Sequence, residues 1–289
     1  MKIFDGQDTF FKVKKSLNCR GRILDLSTPA IMGILNFTPD SFYDGGKISD
    51  IDSVLKKAEE MLEKGADILD VGGQSTRPGA KRIDVEEEWK RIEDPIRIIL
   101  KKFPHTIISV DTFYSEIAKR AIDEGASIVN DISGGDFDER MNESVCSMQI
   151  PYVVMHHKGT PEQMQKNPHY DNVVIEVMKY LVKKVTALRK SGLNDIIIDP
   201  GFGFGKNTEH NYTLLKNLRL FNAIDCPLLV GISRKSMITK VLDVKSEIAL
   251  NGTTVLNTIA LMNGASILRV HDVKEAVEAR KIFEHYRNT

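Results

Sequence analysis

Polar side chains of the few types that can hold a ligand inside a protein close the short apolar runs of this chain. Asn36 ends the run from Ala30, Asp111 follows Val110, Asn130 and Asp131 close the run from Ser127, and His156 follows Met155. Asp199 ends the run from Asp195, Gly231-Ile-Ser-Arg-Lys235 opens from the run at Pro227, and Arg269-Val-His271-Asp272 ends the run from Ser266. A single Asp or Asn of this kind could cap a helix or form a turn. The whole set points elsewhere, because buried amides and carboxylates cost free energy unless a partner meets them, and a polar heterocyclic ligand supplies partners. Ser233, Arg234, Lys235, Arg269 and His271 add a group suited to an anion. Two Gly/Pro-rich segments with hydroxyls, Asn36–Gly46 and Gly72–Gly79, read as loops that close over a ligand. In Asp199-Pro-Gly-Phe-Gly-Phe-Gly-Lys206 no Gly-Lys-Ser/Thr follows and the glycine spacing is not GxGxxG, so a nucleotide loop is excluded. Close backbone approach to a flat ligand, with Phe204 nearby, is the reading that remains.

These residues need a scaffold that brings strand ends together. Strands are expected at Ala30–Asn36, Asp67–Val71, Thr106–Val110, Ser127–Asn130, Pro151–Met155, Asp195–Asp199, Pro227–Gly231 and Ser266–Val270. Helical spacing falls between them, for example at Asp52–Lys64, Ser115–Glu124, Asn172–Ser191, Thr208–Leu218, Glu247–Asn263 and Val273–Tyr286. Strands apolar on both faces that alternate with helices imply a parallel sheet, and eight such units favour closure into a (β/α)8 TIM barrel. The chain length of 289 residues suits one such unit, which typically takes about 250. Residues 1–28 are expected to form an N-terminal hairpin cap, paired over Thr9–Asp25 with a turn near Cys19–Gly21, and residues 29–289 the barrel. In this fold active sites lie at the C-terminal strand ends, with phosphate sites after strands seven and eight. The polar residues above fall there.

Forty basic residues balance forty acidic ones, so no net field marks nucleic acid or an anionic membrane as a partner. No apolar run reaches the roughly 20 residues of a membrane helix and the N-terminus lacks a signal-peptide core, so a cytoplasmic protein is expected. Cys19, Cys146 and Cys226 lack metal or redox spacing and read as buried apolar side chains.

At these positions the sequence resembles the dihydropteroate synthase family. The matching blocks are CRGRILDLSTPAIMGILNFTPDSFYDGG, ILDVGGQSTRPGA, ISVDTF, IVNDISGG, VVMHHKGTPEQM, IIIDPGFGFGK, LLVGISRKS and ILRVHDV, in order from Cys19 to Val273. Phe37, Gln74 and His157-Lys158 depart from the commonest wording, and Gln74 bears on the second loop. The resemblance implies condensation of 6-hydroxymethyl-7,8-dihydropterin diphosphate with 4-aminobenzoate, giving 7,8-dihydropteroate and diphosphate for folate synthesis. It implies that Asp111, Asn130, Ile132, Met155, Asp199, Gly203 and Lys235 bind the pterin, and that Asn36, Thr76, Arg77, Arg269 and His271 bind the diphosphate. Asn36 would also hold Mg²⁺, and Phe42, Thr76, Arg77, Pro78, Phe204, Ser233 and Lys235 would shape the 4-aminobenzoate pocket. The catalytic set would be Asn36, Asp111, Lys235, Arg269 and His271. Sulfonamides compete for the aminobenzoate pocket in this family, and its members are usually homodimers, here expected to pair through outer helices late in the chain.

The residue types suit that chemistry. A carboxylate such as Asp199 can accept two N–H groups of an aminopyrimidine edge at once. Diphosphate leaves only when its charge is met. An aniline nitrogen is neutral at pH 7 and needs no strong base, which agrees with the lack of a Ser/His/Asp or Cys/His arrangement. A corrinoid-dependent methyltransferase barrel shares the pterin-binding strand ends but not the two loops, the SRK segment or RVH. A silent ligand-binding barrel would not need Asn36, Lys235 and Arg269 together.

Overall fold

The computed structural model describes residues 13–38, 51–75, 82–159 and 168–289 and the backbone of 43–44 and 47–48. Phe42, Thr76, Arg77 and Pro78, and the first part of the expected hairpin from Thr9, lie outside the described residues. The antiparallel pair β1 (Ser16–Cys19) and β2 (Arg22–Asp25) confirms a hairpin with its turn at Arg20-Gly21. A second short antiparallel pair joins β4 (Tyr43–Asp44) and β5 (Lys47–Ile48).

The expected barrel is present. Its strands are β3 (Ala30–Asn36), β6 (Ile68–Gly72), β7 (Ile107–Asp111), β8 (Ile128–Asp131), β9 (Tyr152–Met155), β10 (Ile196–Asp199), β11 (Leu229–Val230) and β12 (Ile267–Val270). They are parallel and neighbour one another in the order β10-β9-β8-β7-β6-β3-β12-β11. A parallel bridge between Ile198 and Leu228 joins the two ends of that order and closes the ring.

Helices cover the outside: α1 (Ile51–Glu63), α2 (Val85–Lys102), α3 (Ser115–Glu124), α4 (Met141–Met148), α5 (Val173–Lys190), α6 (Thr208–Lys216), α7 (Ser236–Leu242), α8 (Leu250–Met262) and α9 (Val273–Asn288). Each expected helix lies within a few residues of an observed one, and α2, α4 and α7 add to them. In α2 the Asp84 side chain caps Glu87 N, acids fill the first turn and lysines the last, which suits the helix dipole. Its Trp89, Ile92, Ile96 and Ile99 form one buried stripe at helical spacing.

Side chains alternate along each strand, so every barrel strand has a helix-facing set and an inward set. Ile31, Leu35, Leu69, Val71, Ile108, Val110, Val129, Val154, Ile198 and Leu268 pack outward into the main core. Met32, Ile68, Ile107, Ile128, Val153, Ile197, Leu229 and Ile267 form a separate inward cluster, and Leu17, Cys19, Leu24 and Leu26 of the hairpin segment pack into it. The hairpin therefore plugs the bottom of the barrel, where its own alternation buries Leu17 and Cys19 and exposes Ser16. Cys19, Cys146 and Cys226 are free thiols, and burial pushes Cys19 up to about 12. No helix among the described residues is long and apolar enough to cross a membrane.

Candidate functional site in the barrel mouth

One step beyond the apolar inward cluster the same alternation turns polar groups into the barrel. Asn36, Gly72, Asp111 and Asn130 are register partners across β3, β6, β7 and β8. Gly72 keeps that row open, because a Cβ there would stand 3.1 Å from Asn36 Oδ1 and 3.2 Å from Asp111 Cβ. Two residues earlier on β6, Asp70 also points inward and is fully buried. Its Oδ2 accepts from Arg269 Nε at 2.6 Å and from Asn130 Nδ2 at 3.1 Å, while Arg269 Nη2 donates to Asp111 Oδ2 at 2.5 Å. A carboxylate only accepts, so Asp70 holds the Asn130 amide with its nitrogen inward and leaves its oxygen for another donor.

Burial sets the electrostatics of these groups. It pushes the Asp111 carboxyl up to about 7, with Arg269 pulling it down and Asp70 pushing it further up. It also raises Asp199, opposed by Lys235 and by the Gly201 N–H, which donates to Asp199 Oδ1 at 2.7 Å. Lys235 is drawn down to about 8 by burial against the pull of Asp199. Its ammonium donates to Phe202 O at 2.5 Å and lies 4.7 Å from the centre of the Phe204 ring. Burial works against the Arg269 charge, but Asp70 and Asp111 outweigh it and hold that guanidinium above its ordinary value. Ile132, Met155, Phe113 and Phe204 pack into an apolar patch beside the polar row, a wall on which a flat ring can lie. Gly203 borders it, and a Cβ there would come within 3.2 Å of Lys235 Cδ.

The cationic group expected after the last two strands is smaller than its sequence implies. Arg234 is engaged by both oxygens of Asp272, at 2.9 and 2.6 Å. His271 is exposed at the rim; the surrounding protein, then Arg269 and Arg234, draw its imidazole below its ordinary value and favour the uncharged form, and its Nδ1 lies 3.0 Å from Ser233 Oγ. Lys235 and Arg269 remain as the cations of this group that face the mouth. Asp131 and His156 also drop out as ligand groups. Asp131 follows the inward Asn130 and faces away, accepting bonds from Ser133 N, Ser133 Oγ, Gly135 N and Tyr152 OH. His156, lowered to about 2 by burial and Lys206, is held by that lysine.

Asp70, Lys206 and Glu88 were missed from sequence. Asp70 sits mid-strand in ILDVGG, and only the two-residue period that also selects Gly72 would have marked it as inward. The buried Asn36 Oδ1 has no hydrogen-bond partner among the described residues. Among those residues no three His, Cys, Asp or Glu side chains group as a metal cage. A cavity of about 430 Å³ adjoins the turn after β10, with His169, Lys206, Thr208, Ser236 and Lys240 in its lining. Gln74 anchors the base of the second loop, accepting from Ile83 N at 3.0 Å through Oε1.

A family model described as a pterin binding enzyme matches residues 32–271. The dihydropteroate synthase of Escherichia coli K12 is 44% identical over 270 residues, covering 93% of this chain and 95% of that protein. The crystal structure of Yersinia pestis dihydropteroate synthase in a sulfonamide drug complex superposes with a TM-score of 0.89 at 40% identity, over 95% of this chain and 100% of that one. Xanthomonas albilineans dihydropteroate synthase with 4-aminobenzoic acid gives a TM-score of 0.88 at 37% identity, over 96% of this chain and 100% of that one.

Behind the mouth, Glu88 of α2 packs so tightly on the segment after β6 that a Cβ on Gly73 would stand 2.9 Å from its carbonyl oxygen and 3.2 Å from its Cγ. Burial pushes its carboxyl up to about 8, and Asp111 adds to the rise. The folded protein thus keeps a proton here that the unfolded chain releases near the ordinary value of 4.5. The resulting stability is fully present below that value and is lost as pH rises through about 8. Glu88→Gln should therefore flatten the fall of stability with rising pH, by up to about 1.4 kcal/mol per pH unit in that window. Denaturant unfolding at several pH values checks it. Parallel curves for variant and wild type would mean that Glu88 is ionised in the fold.

Proposed function

Because the chain belongs to the dihydropteroate synthase family of pterin-binding enzymes, we propose that its barrel mouth performs the family's transfer by a dissociative route, with the residues in the roles that follow. The enzyme is a transferase of folate biosynthesis that forms 7,8-dihydropteroate. The observation that carries the assignment of roles is the convergence of Asn36, Asp111, Asn130, Asp199, Lys235 and Arg269 from separate strand ends, beside the Ile132–Met155 patch.

Asp199 accepts two N–H groups of the aminopyrimidine edge, Asn130 offers the oxygen that Asp70 leaves free, and Asp111 accepts from a ring N–H. Lys235 meets the polar carbonyl side of the ring, while Met155 and Ile132 cover its face and Gly203 leaves it room. Arg269 donates to the diphosphate together with neutral His271, joined by Asn36, Thr76 and Arg77. Arg has five N–H donors, so bonds to Asp70 and Asp111 leave others for an anion. Phe42, Thr76, Arg77, Pro78, Phe204, Ser233 and Lys235 enclose 4-aminobenzoate, and the cavity with Ser236, Thr208 and Lys240 suits its carboxylate. Asn36 Oδ1, a hard neutral oxygen without a partner among the described residues, fits Mg²⁺ shared with the substrate's phosphate oxygens, and the ion would neutralise charge on the leaving group.

A copy of this chain is the proposed partner. Helix α8 contains no charged residue, yet Val255 and Met262 are exposed on it, and Ile282 and Tyr286 are exposed on the neighbouring α9. An apolar face of this kind fits a homodimer interface. Sedimentation should give the dimer mass, and Val255→Glu with Met262→Lys should shift it to the monomer. A wild-type monomer at micromolar concentration would refute the pairing.

Asp199→Asn should leave the barrel folded and weaken binding of a pterin analogue by about 1.5–3 kcal/mol or more, because an amide puts one donor against donors. Unchanged affinity by calorimetry in the folded variant would remove Asp199 from the site. The dissociative order is tested with dihydropterin diphosphate labelled with ¹⁸O in the bridging position, incubated with enzyme and Mg²⁺ but no 4-aminobenzoate. Label should scramble into non-bridging positions of recovered substrate, and excess chelator should suppress both scrambling and turnover. Normal turnover with both substrates, but no scrambling without the amine, would assign concerted displacement instead.

A further inference from the structure

We propose that Lys206 is a positioning residue for this reaction: its buried ammonium is the centre around which the glycine-rich turn after β10 folds, and that turn sets Asp199, Phe204 and Lys235 for the two substrates. The inference rests on the reading of the mouth given above. Lys206 is 2% exposed. Its Nζ donates to Gly201 O at 2.8 Å and to Phe204 O at 3.0 Å, lies 2.9 Å from His156 Nδ1, and is 3.4 Å from His156 O. An ammonium has three donors and no acceptor, so His156 must present an unprotonated Nδ1 and carry its proton on Nε2. These partners are three peptide carbonyls and an uncharged imidazole, with no bonded carboxylate among the described residues; burial holds the group well below its ordinary value, and Asp199 opposes that fall. An apolar side chain would fill the same space without that desolvation, so packing alone does not account for a lysine here.

What the charge organises is visible in the turn. Gly201, Gly203 and Gly205 have φ of +71°, +83° and +68°. A Cβ on Gly201 would meet His156 O at 1.9 Å, and one on Gly205 would meet Lys158 O at 2.4 Å, so the turn is pressed against the segment after β9. With that backbone its carbonyls point in different directions, and four of them find donors. Gly201 O and Phe204 O face Lys206, Phe202 O faces Lys235, and Gly205 O accepts from Tyr170 OH at 2.8 Å. The Gly201 N–H meanwhile holds Asp199 Oδ1. One buried cation thus fixes the two carbonyls on either side of the one that anchors Lys235, and with them the place of the Phe204 ring under the Lys235 ammonium. Without it, Phe204 O would be a buried acceptor with no other donor among the described residues, and Gly201 O would keep only the Phe204 N–H at 3.1 Å, so the turn would have to open to satisfy them.

The test is chemical rescue in the full-length enzyme. Lys206→Ala should reduce kcat/KM for 4-aminobenzoate by roughly tenfold or more. Methylammonium, which can refill the carbonyl cradle, should restore much of that loss, whereas tetramethylammonium at equal ionic strength should not, because it has no N–H. Lys206→Met, which fills the space without the charge, carries the test if the alanine variant does not fold. It should lose turnover with no response to either amine. Wild-type constants in Lys206→Met, or a loss in Lys206→Ala that methylammonium leaves unchanged, would overturn the proposal. Wild-type turnover with both substrates tests the underlying reading separately, since it does not depend on either variant.

Discussion

Two carboxylates, Asp70 and Asp111, are buried side by side in the barrel, and the guanidinium of Arg269 is bonded to both. Like charges in a low-dielectric interior are tolerated only with a cation between them. Removing one partner from a buried ion pair typically costs about 3–5 kcal/mol, against a total stability of about 5–15 kcal/mol for a domain. Arg269 is therefore part of the fold as well as of the site, and truncating it would confound stability with chemistry. Through Asp70 it also governs Asn130, whose amide orientation depends on the same carboxylate oxygen.

That arrangement explains how a polar barrel interior can exist before a ligand arrives. The inward positions of the lower barrel are apolar and plugged by the hairpin, so water is excluded from one side. Above them, Asp70 Oδ2 accepts from both Asn130 and Arg269, while among the described residues Asp70 Oδ1 and Asn36 Oδ1 have no hydrogen-bond partner, and Asp111 and Asp199 are raised by burial. Groups held in place at the cost of desolvation bind a complementary ligand without further reorganisation. The site is thus prepared for a planar molecule with N–H donors on its edges and negative charge at one end.

Much of this was legible in the sequence because alternating β and α signals repeat, and because family blocks sit on the strand ends. The strand Ala30–Asn36 has the bounds expected of it, and the others differ by one or two residues at an end. The site was less legible where a residue's role depends on the opposite wall. Asp131 and Asn130 are adjacent strand-end residues of similar type, yet the pleat sends one outward to the Ser133 turn and the other inward. Arg234 reads as part of an anion site until Asp272 is seen to take both its bonds. His271 reads as a cation until its surroundings and the two neighbouring guanidiniums, Arg269 and Arg234, are counted. Lys206 reads as the end of a loop, since nothing local predicts that its own turn and the segment after β9 will close over its side-chain nitrogen.

The charge state of His271 bears on the order of bond changes. A general base is most effective when its pKa lies near the working pH, and an imidazole at about 4 gains little by taking a proton from an amine at neutral pH. Asp111 has the better value, but its Oδ2 is committed to Arg269 and it stands in the row with Asn36 and Asn130, where a ring N–H rather than an incoming amine would meet it. The described residues of the mouth therefore offer strong support for a departing anion and weak support for activating a nucleophile. That imbalance suits a reaction in which the C–O bond breaks first, the electron-rich dihydropterin carries the positive charge, and an amine already neutral in water completes the transfer.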